Sequence, residues 1–88
     1  MPRTRNVNKL DKEGFAPLHG CAHDGDTEGI RRLLQQGADI NVLDFDQRTP
    51  VYIAAAAGQV NAVRVLIDAG CDLEVRDDVG YKVYDFLF

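Results

Sequence analysis

The sequence contains no serine and only two cysteines, Cys21 and Cys71. Serine-based nucleophilic catalysis is therefore excluded. A cysteine nucleophile needs a base and a third group to orient that base. His19 and His23 flank Cys21, but a repeated pattern along the chain already accounts for these residues. Long apolar runs are also missing. The longest, residues 51–58, is alanine-rich and far short of the roughly 20 residues that span a bilayer. Met1-Pro2-Arg3-Thr4-Arg5 is basic, yet no apolar stretch follows it, so it does not read as a secretory signal. The cysteines accordingly read as half-buried thiols in a reducing compartment, which implies a cytoplasmic or nuclear protein. No glycine-rich phosphate cradle occurs. Positive charge is scarce as well. The net charge is −4, and Arg3, Arg5 and Lys9 contribute +3, which leaves −7 for the remainder. An acidic body does not suit nucleic acid, because phosphate binding needs a cationic face. Neither a membrane nor a nucleic acid is the expected partner.

What is present is a period of 33 residues. Displaced by that distance, Pro17 meets Pro50, Gly25 meets Gly58, Ile30 meets Val63 and Leu33 meets Leu66. Leu34 meets Ile67, Gly37 meets Gly70, Asp39 meets Asp72 and Asp44 meets Asp77. Chance seldom aligns punctuating glycines and helical apolar positions together. Each unit reads as helix, turn, helix, loop. Pro17 and Pro50 suit the first helical position, where a missing N–H costs nothing. Gly25 ends the first helix, and Asp26 or Thr27 caps the next. Ile30, Leu33 and Leu34 form one apolar stripe, as do Val60, Val63, Leu66 and Ile67. Gly37 closes the second helix, and a polar hairpin-like loop follows. The alanines after Ile53 allow close packing of neighbouring first helices.

These residues resemble the ankyrin repeat. Asp11-Lys12-Glu13-Gly14-Phe15-Ala16-Pro17-Leu18-His19 and Leu33-Leu34-Gln35-Gln36-Gly37-Ala38-Asp39-Ile40-Asn41 match the family pattern closely. The resemblance implies an all-α solenoid of antiparallel helix pairs with hairpin-like loops, and a role in binding protein. The expected division is a basic arm with the tail of a partial repeat (1–10), repeats at 11–43 and 44–76, and a partial repeat or cap (77–88). Departures from the pattern mark weak points. The family's Thr caps the first helix and meets the His ring. The first unit keeps His19 but has Ala16, and the second keeps Thr49 but has Tyr52. Losing such a cap costs about 1 kcal/mol. Gln47 replaces a glycine of positive φ, and Gly29 stands inside a helix, at about 1 kcal/mol each. Val83, Tyr84 and Asp85 replace Pro-Leu-His, and bulky Leu87 and Phe88 follow. A terminal cap and a chain cut short are both open there.

Chemistry finds little support. His19 and His23 share a helix face, but Cys21 points elsewhere and no second cluster completes a zinc site. No enzyme activity, metal or cofactor is expected. Asparagines in the position of Asn41 are sometimes hydroxylated in the family, which makes Asn41 the candidate modification site. Its other role is to satisfy loop backbone groups. The resemblance places a partner at the loop tips and on the exposed face of the first helix. The matching positions are Lys12, Glu13, Phe15, His23 and Asp24, then Phe45, Asp46, Arg48, Ala56 and Ala57, then Asp78, Val79 and Tyr81. Aromatics and arginine usually dominate such surfaces, so Phe15, Phe45, Arg48 and Tyr81 are the sharpest candidates, the alternative being that one or two of them pack within the loops. A monomer is favoured, with end-to-end stacking through Phe86 and Phe88 as the alternative.

Overall fold

The computed structural model describes residues 7–73. It contains α1 (Pro17–Asp24), α2 (Thr27–Gln35), α3 (Pro50–Ala56) and α4 (Val60–Asp68) in that order. The helices form two hairpins placed side by side. α1 packs on α2 and α3, and α4 packs on the same two. The core lies among all four. Leu18, Ala22, Ile30, Val51, Ala54, Ala62 and Leu66 are fully buried there. Among the described residues no helix is long and apolar enough to cross a membrane.

Local chemistry sets the helix ends. Pro17 and Pro50 open α1 and α3. Gly25 terminates α1 at φ 72°, in the left-handed region that a Cβ disfavours. Thr49 Oγ1 accepts the Tyr52 N–H at 3.3 Å, so α3 has a side-chain cap. Ala16 has no oxygen to offer. No side chain caps α1, but His19 Nδ1 accepts the Ala16 N–H at 2.9 Å. Each unit thus keeps a working half of the Thr–His arrangement.

The two loops repeat one construction. Asp11 Oδ1 accepts the N–H groups of Glu13 and Phe15, at 2.9 and 3.0 Å. Asp44 Oδ1 accepts those of Asp46 and Arg48, both at 2.8 Å. The tight turn ends on Gly14 at φ 89° in the first loop and on Gln47 at φ 65° in the second. A side chain in that region carries strain of about 1 kcal/mol. Gln47→Gly should therefore raise stability by about 0.5–1 kcal/mol, less what glycine adds to unfolded-chain entropy. A higher urea midpoint, with the same far-UV dichroism, is the expected observation.

Asparagines tie successive loops together. Asn8 Oδ1 accepts the Asp39 N–H at 2.7 Å, and Asn41 Oδ1 accepts the Asp72 N–H at 2.8 Å. Both pairs lie 31 residues apart, so the bond recurs with the repeat.

Two sequence expectations change. Val60 is 66% exposed and Ile67 is 40% exposed, so neither belongs to the core stripe of α4. Seven residues apart, they share a face, while Ala62, Val63 and Leu66 point inward. Gly29 is also more than a weak helix residue. A Cβ there would lie 2.5 Å from Asp26 Oδ2 and 2.8 Å from Cys21 Sγ. Asp26 caps α2 through its Oδ1, which accepts the Gly29 N–H at 2.9 Å. Gly29→Ala gains about 1 kcal/mol of helix propensity. It loses the cap, about 1 kcal/mol, and adds overpacking of roughly 1–3 kcal/mol. Thermal melting should show a net loss, and Cys21→Ala in the same chain should recover part of it. A rise in melting temperature for Gly29→Ala alone would contradict this account.

Candidate functional site

The chemistry of the turn tips starts with Asp44, whose side chain is only 1% exposed. Its Oδ2 receives the Arg48 Nε–H at 2.9 Å. Arg48 also meets Asp46 Oδ2 at 3.2 Å. The same guanidinium lies 5.9 Å from the centre of the Phe15 ring. Phe15 in turn meets the His19 ring edge-on at 6.2 Å between centroids. His19 Nε2 lies 2.9 Å from the Val42 carbonyl oxygen and 3.0 Å from that of Arg48. Because Nδ1 accepts from Ala16, Nε2 carries the proton and donates to both. One buried imidazole therefore joins the start of α1 to the next loop. With both ring nitrogens engaged, His19 is not placed to bind a metal.

These contacts shape a groove of about 530 Å³ along the exposed side of α1. Phe15, Pro17 and Ile53 supply apolar lining, and Lys9, Asp11, Asp24 and Arg48 supply charge. Gly20 and His23 line it from α1. His23 Nδ1 and Asp24 Oδ1 are 3.1 Å apart, and both side chains are mostly exposed. Gln59 fixes the end of α1 from the second unit, its Nε2 donating to the His23 carbonyl at 2.9 Å.

The sequence-selected residues divide accordingly. Phe15, His23, Asp24 and Arg48 come together in the groove. Phe15 is half-buried against the core, and Arg48 is half-buried between carboxylates. Lys12, Glu13, Phe45 and Asp46 are exposed at the turn tips. The Phe45 ring covers Gly14, and its N–H reaches the Gly14 carbonyl at 3.2 Å. Ala56 and Ala57 are exposed at the end of α3. Asp78, Val79 and Tyr81, like Phe86 and Phe88, lie outside the described residues. Sequence reasoning did not place Lys9, Asp11, Gly20 and Ile53 in a groove, and it read Ala16, Pro17 and His19, which also line it, for their part in the helix start alone. Gly20 carried the one available signal, a glycine inside a helix with no turn to make.

The thiols are poorly suited to chemistry. Cys21 and Cys71 are both free. Burial pushes the Cys21 thiol up, and the charges of Asp26 and Asp24 add to this. Burial, then Asp72, pushes Cys71 up to about 11. Both stay protonated at neutral pH, and a thiol is a weak nucleophile. Among the described residues no three His, Cys, Asp or Glu side chains gather as a metal site.

Comparison with known proteins adds one positive finding. The family model for ankyrin repeats, in three copies, matches residues 3–77. No curated protein matches the sequence significantly. Ankyrin repeats are in general protein–protein interaction modules. The match spans most of the chain, and the helix pairs, turn tips and recurring asparagine bonds fall within it. The chain belongs to the ankyrin-repeat family.

Proposed function

We propose that this chain is a non-catalytic interaction module that holds a partner protein along the α1 groove and the turn tips. The carrying observation is the groove itself, which unites Phe15, His23, Asp24 and Arg48 from separate elements. Two whole repeats, 11–43 and 44–76, form the working unit, with partial repeats beside them. By sequence register Asp78, Val79 and Tyr81 are the counterparts of Phe45, Asp46 and Arg48, and they continue the row of contact positions. The module acts as a monomer in the cytoplasm or nucleus.

Arg48 makes a poor test of this reading, because its bonds to Asp44 and Asp46 shape the turn. Phe45 and Asp24 are better. The Phe45 residue is 67% exposed, and the Asp24 side chain is 74% exposed. The exposed Asp24–His23 pair contributes little to stability. Phe45→Ala combined with Asp24→Ala should leave the melting temperature nearly unchanged. Capture of partner proteins by the immobilised chain should weaken by roughly tenfold or more, the scale of one hot spot. Retention of the same partners at equal strength would place the binding surface elsewhere.

A further inference from the structure

Gly20 is a glycine that the fold does not require. Glycine is the least favourable interior helix residue after proline. Five described glycines have a positive φ, and Gly29 has no room for a Cβ. Gly20 has neither reason, since a Cβ built on it meets nothing within 4 Å. Its counterpart 33 residues later is Ile53, which is 8% exposed. The floor of the groove therefore steps down from an isoleucine to bare helix backbone. The hollow is bordered by Phe15, His23 and Ile53.

The molecule already shows what fits a bare glycine. Phe45 lays its ring against Gly14, in the space where a Cβ would stand. Charge narrows the choice further. Asp11 and Asp24 stand at the hollow with one lysine, Lys9. Arg48, the nearby guanidinium, already faces Asp44 and Asp46. Over Lys9, Asp11, Lys12, Glu13, Asp24, Asp44, Asp46 and Arg48 the charge is three positive against five negative, a net of −2. A cation at this rim is attracted and an anion repelled.

We propose that the hollow over Gly20 receives an aromatic side chain of the partner polypeptide, carried beside a lysine or arginine. This rests on the groove being the partner surface and names the anchor within it. Ring burial supplies the affinity, and the flanking cation supplies orientation.

The test uses blocked tripeptides and the full chain, followed by amide NMR shifts. Acetyl-Lys-Trp-Lys-amide should give saturable shifts at Gly20, His23 and Ile53. The Glu-Trp-Glu twin should bind roughly tenfold more weakly, and Lys-Ala-Lys should give no saturable shift. Gly20→Gln fills the hollow with a helix-favouring side chain and should abolish the response while melting no lower than the parent. Gly20→Ala, with a single methyl, provides a second folded variant that should weaken it. Equal shifts in parent and Gly20→Gln, or equal binding of the alanine twin, would overturn the anchor. Equal binding of the glutamate twin would overturn the cationic flank. A captured partner that Gly20→Gln holds as well as the parent does would remove the anchor while leaving the interaction role intact. Loss of capture by the Phe45 and Asp24 variant supports that role and, through Asp24, the cationic flank; the anchor is read from the Gly20 variants.

Discussion

Replacing His19 by alanine is expected to remove a large share of the folding free energy. His19 is 1% exposed and makes bonds to Ala16, Val42 and Arg48. Truncation orphans the Ala16 N–H and the Val42 carbonyl, each at about 1–3 kcal/mol when buried, while the Arg48 carbonyl keeps the Asp44 N–H at 3.0 Å. Partial hydration of the Val42 carbonyl lowers the sum, which leaves a loss of about 2–4 kcal/mol. A domain of this size holds only about 5–10 kcal/mol in total. The urea midpoint followed by dichroism should fall accordingly. His19→Gln should lie between, because a glutamine at the third helical position still accepts the N-cap N–H. A midpoint within error of the parent for His19→Ala would show that the loop does not depend on the ring.

Ile30→Ala should have a comparable effect by a different route. Ile30 is completely buried, on a helix that packs against both α1 and α4. Large-to-small changes at such sites cost about 2–5 kcal/mol, through lost transfer energy and the cavity left behind. Alanine's better helix propensity returns only a few tenths of a kcal/mol. Ile30→Val should lose about 0.5–1.5 kcal/mol, and Leu34→Ala, at a half-buried site, less than Ile30→Ala. A graded series of melting temperatures in that order checks the account. Equal losses at Ile30 and Leu34 would mean that the core is not centred where the structure places it.

The features legible in the sequence are those decided over a few residues. Pro17, Pro50, Gly25 and Asp26 fix helix ends through their own backbone geometry or one short bond. The strain at Gln47 was legible too, because its counterpart in the repeat is Gly14. What stayed hidden depends on neighbours remote in sequence. The side-chain cap at Ala16 is lost as the sequence suggests, but the bond from the Ala16 N–H to the buried His19 ring depends on where that ring is held. Arg48 read as a contact residue, and the buried carboxylate that holds it belongs to the turn geometry. Val60 and Ile67 fit a helical apolar period, and only the placement of α4 shows that they face outward. The groove was half visible. Its rim lies at the register positions of the family, while its floor depends on Gly20 and Ile53 lying side by side across two repeats.

The crowding around Gly29 has a consequence for heredity and design. In the first unit Cys21, Asp26 and Gly29 share one small space. Their counterparts in the second are Ala54, Gln59 and Ala62. There the Gln59 side chain leaves its own helix and reaches back to the preceding unit, and Ala62 carries its methyl fully buried. The two units thus fill the same corner with different trios, and residues in contact do not act additively. The order of exchange matters: a methyl at position 29 collides with the first unit's Asp26 and Cys21, and shrinking Cys21 beforehand eases its entry. A consensus averaged position by position across repeats can pair that methyl with an aspartate cap, the combination that Gly29→Ala tests.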